Sequence, residues 1–286
     1  MVDRPLTLMT VHAHPDDEAT FTPGILARYG AEGIRTVVVA CTDGSCGDGP
    51  GGVKPGEAAH DPAAVAALRR AELEASCGVL KVGHLELLGY ADSGMIGWPQ
   101  NSAPGSFWAT PVEQAAARLA ELMLRYRPDV VVTYDENGYY GHPDHIQAHR
   151  ITVAALELAA VPAKLYWTTV PRTAVDLLAE MMQEIEGGTD VDGADDAVRL
   201  GATEEEITAR VDVSEHCDRM YEALSMHESQ SPNISLLTVG RERYARLSGI
   251  EAYIRADNAD DAGDPAGSGA SVPETDLFAG LRRLGG

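Results

Sequence analysis

Basic residues are scarce in this chain of 286 residues. Lys and Arg together number 22 against 44 Asp and Glu, so the formal net charge is −22 at pH 7. A protein with this charge repels the phosphate backbone of nucleic acids. We therefore expect no nucleic-acid partner.

Long apolar runs are also lacking. No stretch approaches the roughly 20 apolar residues that a membrane-spanning helix needs. Asp3 and Arg4 precede a short apolar run, which is not the pattern of a signal peptide. These features predict a cytoplasmic protein without membrane association.

Cysteine is rare, with only Cys41, Cys46, Cys77 and Cys217. Their spacing matches neither a CxxC metal knuckle nor a dense disulfide framework. We expect buried free thiols. Cys46 lies in a Gly-rich loop after a predicted strand, and its role stays open.

Apolar segments and amphipathic segments alternate along much of the chain, whose hydrophobic content of 44% suits a packed core. Segments 6–14, 34–42, 84–90, 130–134 and 164–170 are predicted strands. Five helices are predicted: one through Ile25 and Tyr29, one over 62–77, one over 111–126, one beginning near Pro143 and one over 214–230. This alternation indicates an α/β fold with a mostly parallel sheet covered by helices on both faces. Binding sites in such sheets lie at the carboxyl edge of the strands.

Residues 12–18 (HAHPDDE) bring three carboxylates and two imidazoles to the end of the first predicted strand. Side chains alternate along a strand, and Pro15 turns the chain. His14 and Asp17 are therefore predicted to face one point, with Asp16 beside them.

A second cluster, residues 139–145 (YYGHPDH), follows the predicted strand 130–134 and lies at the same predicted edge. His142, His145 and His149 share one face of the helix that begins there. Two imidazoles and one carboxylate with an open position are typical ligands of a catalytic zinc ion. A capping turn and core histidines would explain either motif alone, whereas the two motifs together favour a metal site.

These two motifs, together with DSGM at residues 92–95, resemble the LmbE-like (PIG-L) zinc deacetylases. The resemblance is closest to the enzymes that deacetylate N-acetylglucosaminyl-inositol in mycothiol synthesis and to the related mycothiol S-conjugate amidase. It implies a Rossmann-like fold with the metal at the carboxyl edge, and hydrolysis of the N-acetyl group of a small amino-sugar substrate. It also implies one deacetylase domain over residues 1–286. Composition separately predicts an acidic surface insertion or lid near 186–206 and a mobile segment near 257–272, which has almost no large apolar residue.

The resemblance further implies a role for each matching residue. The metal ligands are His14, Asp17 and His145, and the general base is Asp16. His142 and Tyr140 stabilise the oxyanion and protonate the leaving amine, and Asp144 orients His142. Arg69 and Asp92 hold the substrate. The implied metal is Zn²⁺, although such a site also accepts Fe²⁺ or another divalent ion.

The chain departs from the mycothiol enzymes at Phe21, Ser45 and Cys46, which alters the predicted rim of the pocket. Phe21 is a candidate substrate-binding residue. With Trp98, Phe107 and Trp108, it is predicted to stack on a sugar or a bulkier aglycone. Alternatively, these aromatic rings only hold a long loop against the core. Three other functions stay open: an amidase that releases a larger acyl group, an enzyme that tailors a glycosylated antibiotic, and a non-catalytic sugar-binding protein. Among the remaining histidines, His12 and His149 are expected to be structural and His227 to approach the substrate.

Overall fold

The structure is a computed structural model that describes residues 4–186, 200–256 and 272–282. Its strands are β1 (Thr7–His12), β2 (Arg35–Thr42), β3 (His84–Tyr90), β4 (Val130–Thr133), β5 (Lys164–Thr169), β6 (Ala209–Asp212) and β7 (Ile250–Arg255). They form one sheet in the order β3-β2-β1-β4-β5-β7-β6. Strands β1 to β5 are parallel, and β7 pairs antiparallel with both β5 and β6.

The helices connect these strands and cover the sheet. They are α1 (Asp17–Phe21), α2 (Pro23–Ala31), α3 (Pro62–Leu80), α4 (Val112–Tyr126), α5 (Gly138–Gly141), α6 (Pro143–Ala159), α7 (Arg172–Glu186), α8 (Cys217–Ser225), α9 (Ser235–Thr238) and α10 (Arg241–Ser248). Short 3₁₀ turns occur at Pro50–Gly52, Pro99–Ser102, Ser214–His216 and Ser231–Asn233. In the described ranges, no helix is long and apolar enough to cross a membrane.

The central strands are buried on both faces, which explains their nearly continuous apolar sequences. Because side chains alternate along a strand, Leu8 and Val38 join the core on the face covered by α2, α3 and α8. Met9 and Val37 point to the opposite face, where α4 and α6 pack. The predicted α/β fold with a mostly parallel sheet is therefore confirmed.

Several elements differ from their predictions. The antiparallel strands β6 and β7 were not predicted, because they lie outside the alternation of strands and helices. Helices α7, α9 and α10 were missed as well. The helix predicted over 214–230 is limited to α8, with 3₁₀ turns before and after it. The first helix is split at Thr22, because the residue before a proline disfavours helical geometry.

The predicted acidic insertion near 186–206 and the predicted mobile segment near 257–272 fall mainly on residues outside the described ranges. Beyond the second gap, the chain returns to the core. Leu277 and Phe278 are fully buried, and the Phe278 ring packs edge-on against Tyr29 with centroids 4.9 Å apart. The last described segment is thus docked on the face that carries α2.

Candidate active site

A pocket of about 650 Å³ opens at the carboxyl edge of the sheet, above β1 and its neighbours. Strand β1 leads into the HPDD turn, and β4 leads through the short helix α5 into the start of α6. Since β1 and β4 are adjacent in the sheet, the two motifs meet there. The pocket wall includes His14, Asp16, Asp17, Tyr140 and His142.

His14 and His145 each bring one ring nitrogen, and Asp17 brings both carboxylate oxygens, to distances near those of a metal site. Nδ1 of His14 lies 3.3 Å from Nε2 of His145 and 3.4 Å from Oδ2 of Asp17. Nε2 of His145 lies 3.7 Å from Oδ1 of Asp17. Ligand atoms around a tetrahedral zinc ion are roughly 3.3–3.6 Å apart, so these residues fit such an ion.

The electrostatic state of these residues also suits metal binding. Burial, together with the nearby His14, lowers the pKa of His145 to about 3, which keeps the imidazole neutral. Burial alone would raise the pKa of Asp17, but His145 and His14 hold it well below its usual value. Although burial lowers the pKa of His14, Asp92, Asp144 and Asp17 raise it well above its usual value, so a metal ion would bind to this ring by displacing a proton.

His142 also lies beside His14 and His145, and the three side chains bring nitrogen atoms within 4.8 Å of one another. Its hydrogen bonding nevertheless disfavours ligation. Nδ1 of His142 accepts the backbone N–H of Asp144 at 3.1 Å, so in the neutral ring the proton is on Nε2. Burial and the neighbouring imidazoles lower the pKa of His142 to about 2. His142 is thus a neutral hydrogen-bond donor at the pocket.

The Asp144 carboxylate is fully buried and faces His14 rather than His142. Its Oδ2 lies 3.4 Å from Nε2 of His14 and accepts the backbone N–H of Ser93 at 2.9 Å. His142 is the N-cap residue of α6, and its side chain accepts one of the free backbone N–H groups at the helix start. This explains why Asp144 contacts His142 through its backbone. A carboxylate on the far nitrogen of a ligating histidine orients that ring. The carboxylate contact with His14 is thus additional to the contact of the Asp144 backbone with His142, and the predicted role of Asp144 in orienting His142 stays a prediction.

Asp16 stands beside the three ligand candidates in an unusual backbone conformation, with φ of 116°. Its Oδ2 lies 2.9 Å from Nη2 of the buried Arg69. Burial raises the pKa of Asp16 to about 6 against the opposing charge of Arg69. A carboxylate with a pKa in this range is suited to act as a general base.

Arg69 fastens the HPDD turn to the loop after β2. Its guanidinium donates to the carbonyl oxygen of Pro15 and, over 2.8 Å, to that of Gly44. Gly44 has φ of 65°, and a Cβ atom there would lie 2.5 Å from Nη1 of Arg69. Only glycine therefore fits this position. Arg69 also lines the pocket, where it was predicted to contact the substrate.

Asp92 is buried in the pocket wall, and its contact with substrate stays a prediction. Its carboxylate accepts the backbone N–H of Gly94 at 2.8 Å and that of Cys46 at 3.2 Å. Burial, followed by Asp92, raises the pKa of the Cys46 thiol to about 12. Cys46 thus lines the pocket as an unreactive thiol.

The predicted aromatic residues have different environments. Tyr140 is 41% exposed, and its ring lies 5.0 Å from that of His145. Desolvation of the phenol on its pocket side, followed by the negative charge of Asp17, raises the pKa of Tyr140, so the hydroxyl keeps the proton that a donor needs. Phe21 packs edge-on against His145, and Trp98 also lines the pocket. Phe107 is fully buried against Tyr90, so it fastens the loop instead.

A smaller, mostly apolar cavity of about 260 Å³ adjoins this pocket. Thr20 and Phe21 line both spaces, and the smaller one continues between β5, α7 and β7. Phe21 is therefore the boundary between the polar pocket and an apolar one.

Three histidines outside the ligand set have structural contacts. His12 is buried and pairs through Nε2 with the hydroxyl of Thr22 at 2.8 Å, as expected for a structural residue. His149 contacts the carbonyl oxygen of Tyr134 at 2.9 Å. His227 was expected to approach the substrate, which is wrong: it is fully buried, with Nε2 lying 2.8 Å from Oε1 of Glu18. His227 and Glu18 are 209 positions apart, so the sequence gives no sign of this pairing.

Other residues of the site were not assigned from the sequence. The Tyr134 ring stacks on His145 at a centroid distance of 4.1 Å, and its hydroxyl accepts the backbone N–H of Ala13 at 3.0 Å. Tyr134 begins the second motif, which was its only signal. The pocket wall also includes Lys54, Gln230 and Asn233, which belong to loops without a recognisable motif.

Comparison with known proteins places this geometry in a family. The family model of PIG-L, GlcNAc-PI de-N-acetylase, matches residues 9–156. Over 291 aligned residues the chain is 40% identical to a 1D-myo-inositol 2-acetamido-2-deoxy-alpha-D-glucopyranoside deacetylase of Salinispora arenicola, covering 96% of this chain and 91% of the relative. A protein of the same name from Thermomonospora curvata is 37% identical, with coverage of 90% and 95%.

A solved structure shares the fold. The N,N'-diacetylchitobiose deacetylase from Pyrococcus horikoshii matches with a TM-score of 0.56 at 18% identity, covering 87% of this chain and 83% of that one. The family match and the similarity over nearly the whole chain agree with the motifs that end β1 and begin α6. The chain therefore belongs to the PIG-L family.

Proposed function

We propose that this protein is a metal-dependent N-deacetylase that removes the acetyl group from N-acetylglucosaminyl-inositol. The observation that carries the proposal is the grouping of His14, Asp17 and His145 at metal-ligand spacing, with Asp16 and His142 beside them in one pocket. The names of relatives that are 37–40% identical over nearly the whole chain support this substrate.

We propose zinc as the metal, held by Nδ1 of His14, Nε2 of His145 and the Asp17 carboxylate. An N₂O ligand set also accepts Fe²⁺ or another divalent ion, and supply in the cell selects among them. Bound there, the metal supplies Lewis-acid polarisation of the amide carbonyl and lowers the pKa of a water molecule. Asp144 orients the His14 ring through Nε2.

The side chains around this metal site divide the proton transfers of amide hydrolysis. Asp16, as an ionised carboxylate, removes a proton from the attacking water. The Nε2–H group of His142 and the hydroxyl of Tyr140 donate to the carbonyl oxygen as negative charge develops on it. The leaving nitrogen receives the proton that Asp16 took from the water, passed on through His142 or Tyr140, so each of these groups ends the reaction in its starting protonation state. The products are acetate and a free amino sugar.

Arg69, Asp92 and Phe21 are proposed to position the sugar. Asp92 presents a carboxylate that accepts hydroxyl groups, and Arg69 lines the same wall of the pocket. Phe21 offers an apolar face beside His145 for the acetyl group or a sugar face.

The test is to measure acetate and free primary amine in parallel after incubation of the zinc-loaded protein with N-acetylglucosaminyl-inositol. Simple N-acetylglucosaminides and a glycosylated antibiotic form a comparison panel. Equal release of acetate and amine, fastest from the inositol glycoside, is the expected result. Release of neither product from any substrate by metal-loaded protein would refute the proposal.

Asp16→Asn separates catalysis from metal binding. Loss of a proton-transfer group lowers the rate by roughly 10²- to 10⁴-fold, while the ligand atoms stay in place. Asp218→Asn is the matched control, because the Asp218 side chain is 89% exposed on α8. We expect normal metal content in both variants and normal activity only in the control.

A second candidate function is an amidase that releases a larger acyl group. The apolar cavity beyond Thr20 and Phe21 favours it, because an acyl chain longer than acetyl would extend past the metal site toward that space. The identity of the carboxylic acid released from a mixed set of N-acyl glucosamines distinguishes the two functions. A preference for acetyl supports the deacetylase, and a preference for longer acyl groups supports the amidase.

A further inference from the structure

Behind the HPDD turn lies a buried polar cluster of Glu18, Ser76 and His227. The three side chains are fully buried or nearly so. Nε2 of His227 lies 2.8 Å from Oε1 of Glu18, and the hydroxyl of Ser76 donates to the same oxygen at 2.5 Å. The other oxygen, Oε2, accepts the backbone N–H of Asp16 at 3.1 Å. A continuous hydrogen-bond chain thus joins His227 to the backbone of Asp16.

We propose that His227, acting through Glu18, is a positioning residue that holds Asp16 in its working orientation. The inference rests on the proposed function, in which Asp16 is the general base. His227 itself does not line the pocket, so it acts on the reaction through Asp16 and not by contact with the substrate.

The backbone of Asp16 explains why such support is needed. With φ of 116° and ψ of −23°, Asp16 has a conformation that residues other than glycine rarely adopt. Such conformations persist only where the surroundings enforce them. Arg69 holds the Asp16 carboxylate, and Glu18 holds its N–H. Loss of the Glu18 contact would free the turn to relax and move the carboxylate.

His227 is suited to fix Glu18 rather than merely to fill space. Its Nδ1 is buried without a hydrogen-bond partner in the described part of the chain, which is unfavourable for a polar atom. One ring nitrogen of His227 is thus buried without a partner in the described residues, while the other contacts Glu18. An apolar side chain of similar size would pack there without that penalty.

The test compares His227→Gln with His227→Ala. A glutamine side chain carries an N–H donor about as far from the backbone as Nε2 of histidine, so it can still bond to Glu18. Alanine cannot. A displacement of about 1 Å in a catalytic group costs on the order of 10²-fold in rate. We expect His227→Ala to lower kcat by roughly 10- to 100-fold with KM and bound metal unchanged, and His227→Gln to restore most of it.

Leu224→Ala controls for loss of stability. Leu224 is fully buried on α8, and its side chain belongs to the apolar core; its carbonyl oxygen accepts the backbone N–H of His227, a bond that alanine keeps. This variant should unfold at lower temperature yet keep the kcat of the wild type. A kcat in His227→Ala equal to that of Leu224→Ala would overturn the proposal, as would equal losses in His227→Ala and His227→Gln.

Hydrogen exchange of the Asp16 amide gives a readout that does not depend on activity. In metal-free protein we expect it to be at least several-fold faster in His227→Ala than in wild type, with little change in Leu224→Ala or His227→Gln. Unchanged exchange in His227→Ala would overturn the proposal even if its activity fell. If the wild type released acetate from no substrate, the proposed function would fail, and the exchange rates would still decide whether His227 holds Asp16.

Discussion

Arg69 offers the sharpest test of how the general base is held. Its guanidinium is 5% exposed and lies 2.9 Å from an oxygen of Asp16, whose side chain is 20% exposed. The next residue, Arg70, forms an ion pair of the same length with Glu74, but both side chains are more than half exposed. Arg69→Met and Arg70→Met therefore make the same chemical change in a buried pair and in an exposed pair.

The two environments predict different losses. Removal of one partner of a buried ion pair costs about 3–5 kcal/mol, because the other charge stays buried without compensation. An exposed pair four residues apart on a helix contributes only about 0.3–0.5 kcal/mol. For a protein of this size, roughly 2–4 °C accompanies each kcal/mol. We expect Arg69→Met to unfold roughly 6–20 °C below the wild type and Arg70→Met within about 2 °C of it.

The pH dependence of kcat should also change when Arg69 is replaced. Arg69 lowers the pKa of Asp16, so its removal raises that pKa further above its usual value. A general base works only when ionised, and the acid limb of the pH dependence of kcat therefore moves to higher pH in Arg69→Met. Differential scanning calorimetry, metal analysis and a pH–rate profile measure these effects. Equal melting temperatures and equal profiles in the two variants would refute the reasoning.

Three further predictions concern other parts of the fold. Glu251→Ala should lower the free energy of unfolding in urea by about 2–4 kcal/mol, because the Glu251 carboxylate accepts the backbone N–H groups of Gly24 and Ile25 at the start of α2; an unchanged midpoint would contradict this. His145→Ala should weaken metal binding, measured by equilibrium dialysis. Loss of a residue that hydrogen-bonds to a metal ligand costs roughly 10- to 100-fold in affinity, and loss of the ligand itself should cost more. A wild-type affinity in this variant would exclude His145 as a ligand. Burial raises the pKa of Cys46 to about 12. Its alkylation at pH 8, measured by mass spectrometry, should therefore be roughly 10³-fold slower than that of free cysteine and should become faster as the pH rises. Rapid labelling at pH 8 would disprove this.

The clustering of the main site residues was predictable because the relevant signals are local. Each motif follows a buried parallel strand, and the carboxyl ends of neighbouring parallel strands share one edge. That rule places the turn containing His14 and Asp17 at the same edge as the helix start containing His142 and His145, and the adjacency of β1 and β4 brings them into contact. The family confirmed from the comparisons was recognisable from the same residues.

What the sequence did not predict depends on the direction of side chains and on distant contacts. Asp144 was predicted to orient His142, but the sequence did not show that its backbone N–H makes that contact while its carboxylate faces His14, because these directions depend on the geometry of the first turn of α6. His227 was expected near the substrate, but the fold turns it toward Glu18. Strands β6 and β7 were missed because their pairing joins segments that carry no pattern of their own.

The adjacency of β1 and β4 also has a consequence for folding kinetics. Leu8, Met9 and Thr10 pair with Val130, Val131 and Val132, although these segments are far apart in the chain. Parallel pairing of distant segments forms slowly, so the ligand atoms come together only after the centre of the sheet has assembled. A metal ion bound as proposed would then cross-link the two strand ends and slow unfolding without hastening folding. The lifetime of the enzyme against proteolysis would accordingly follow the metal supply of the cell.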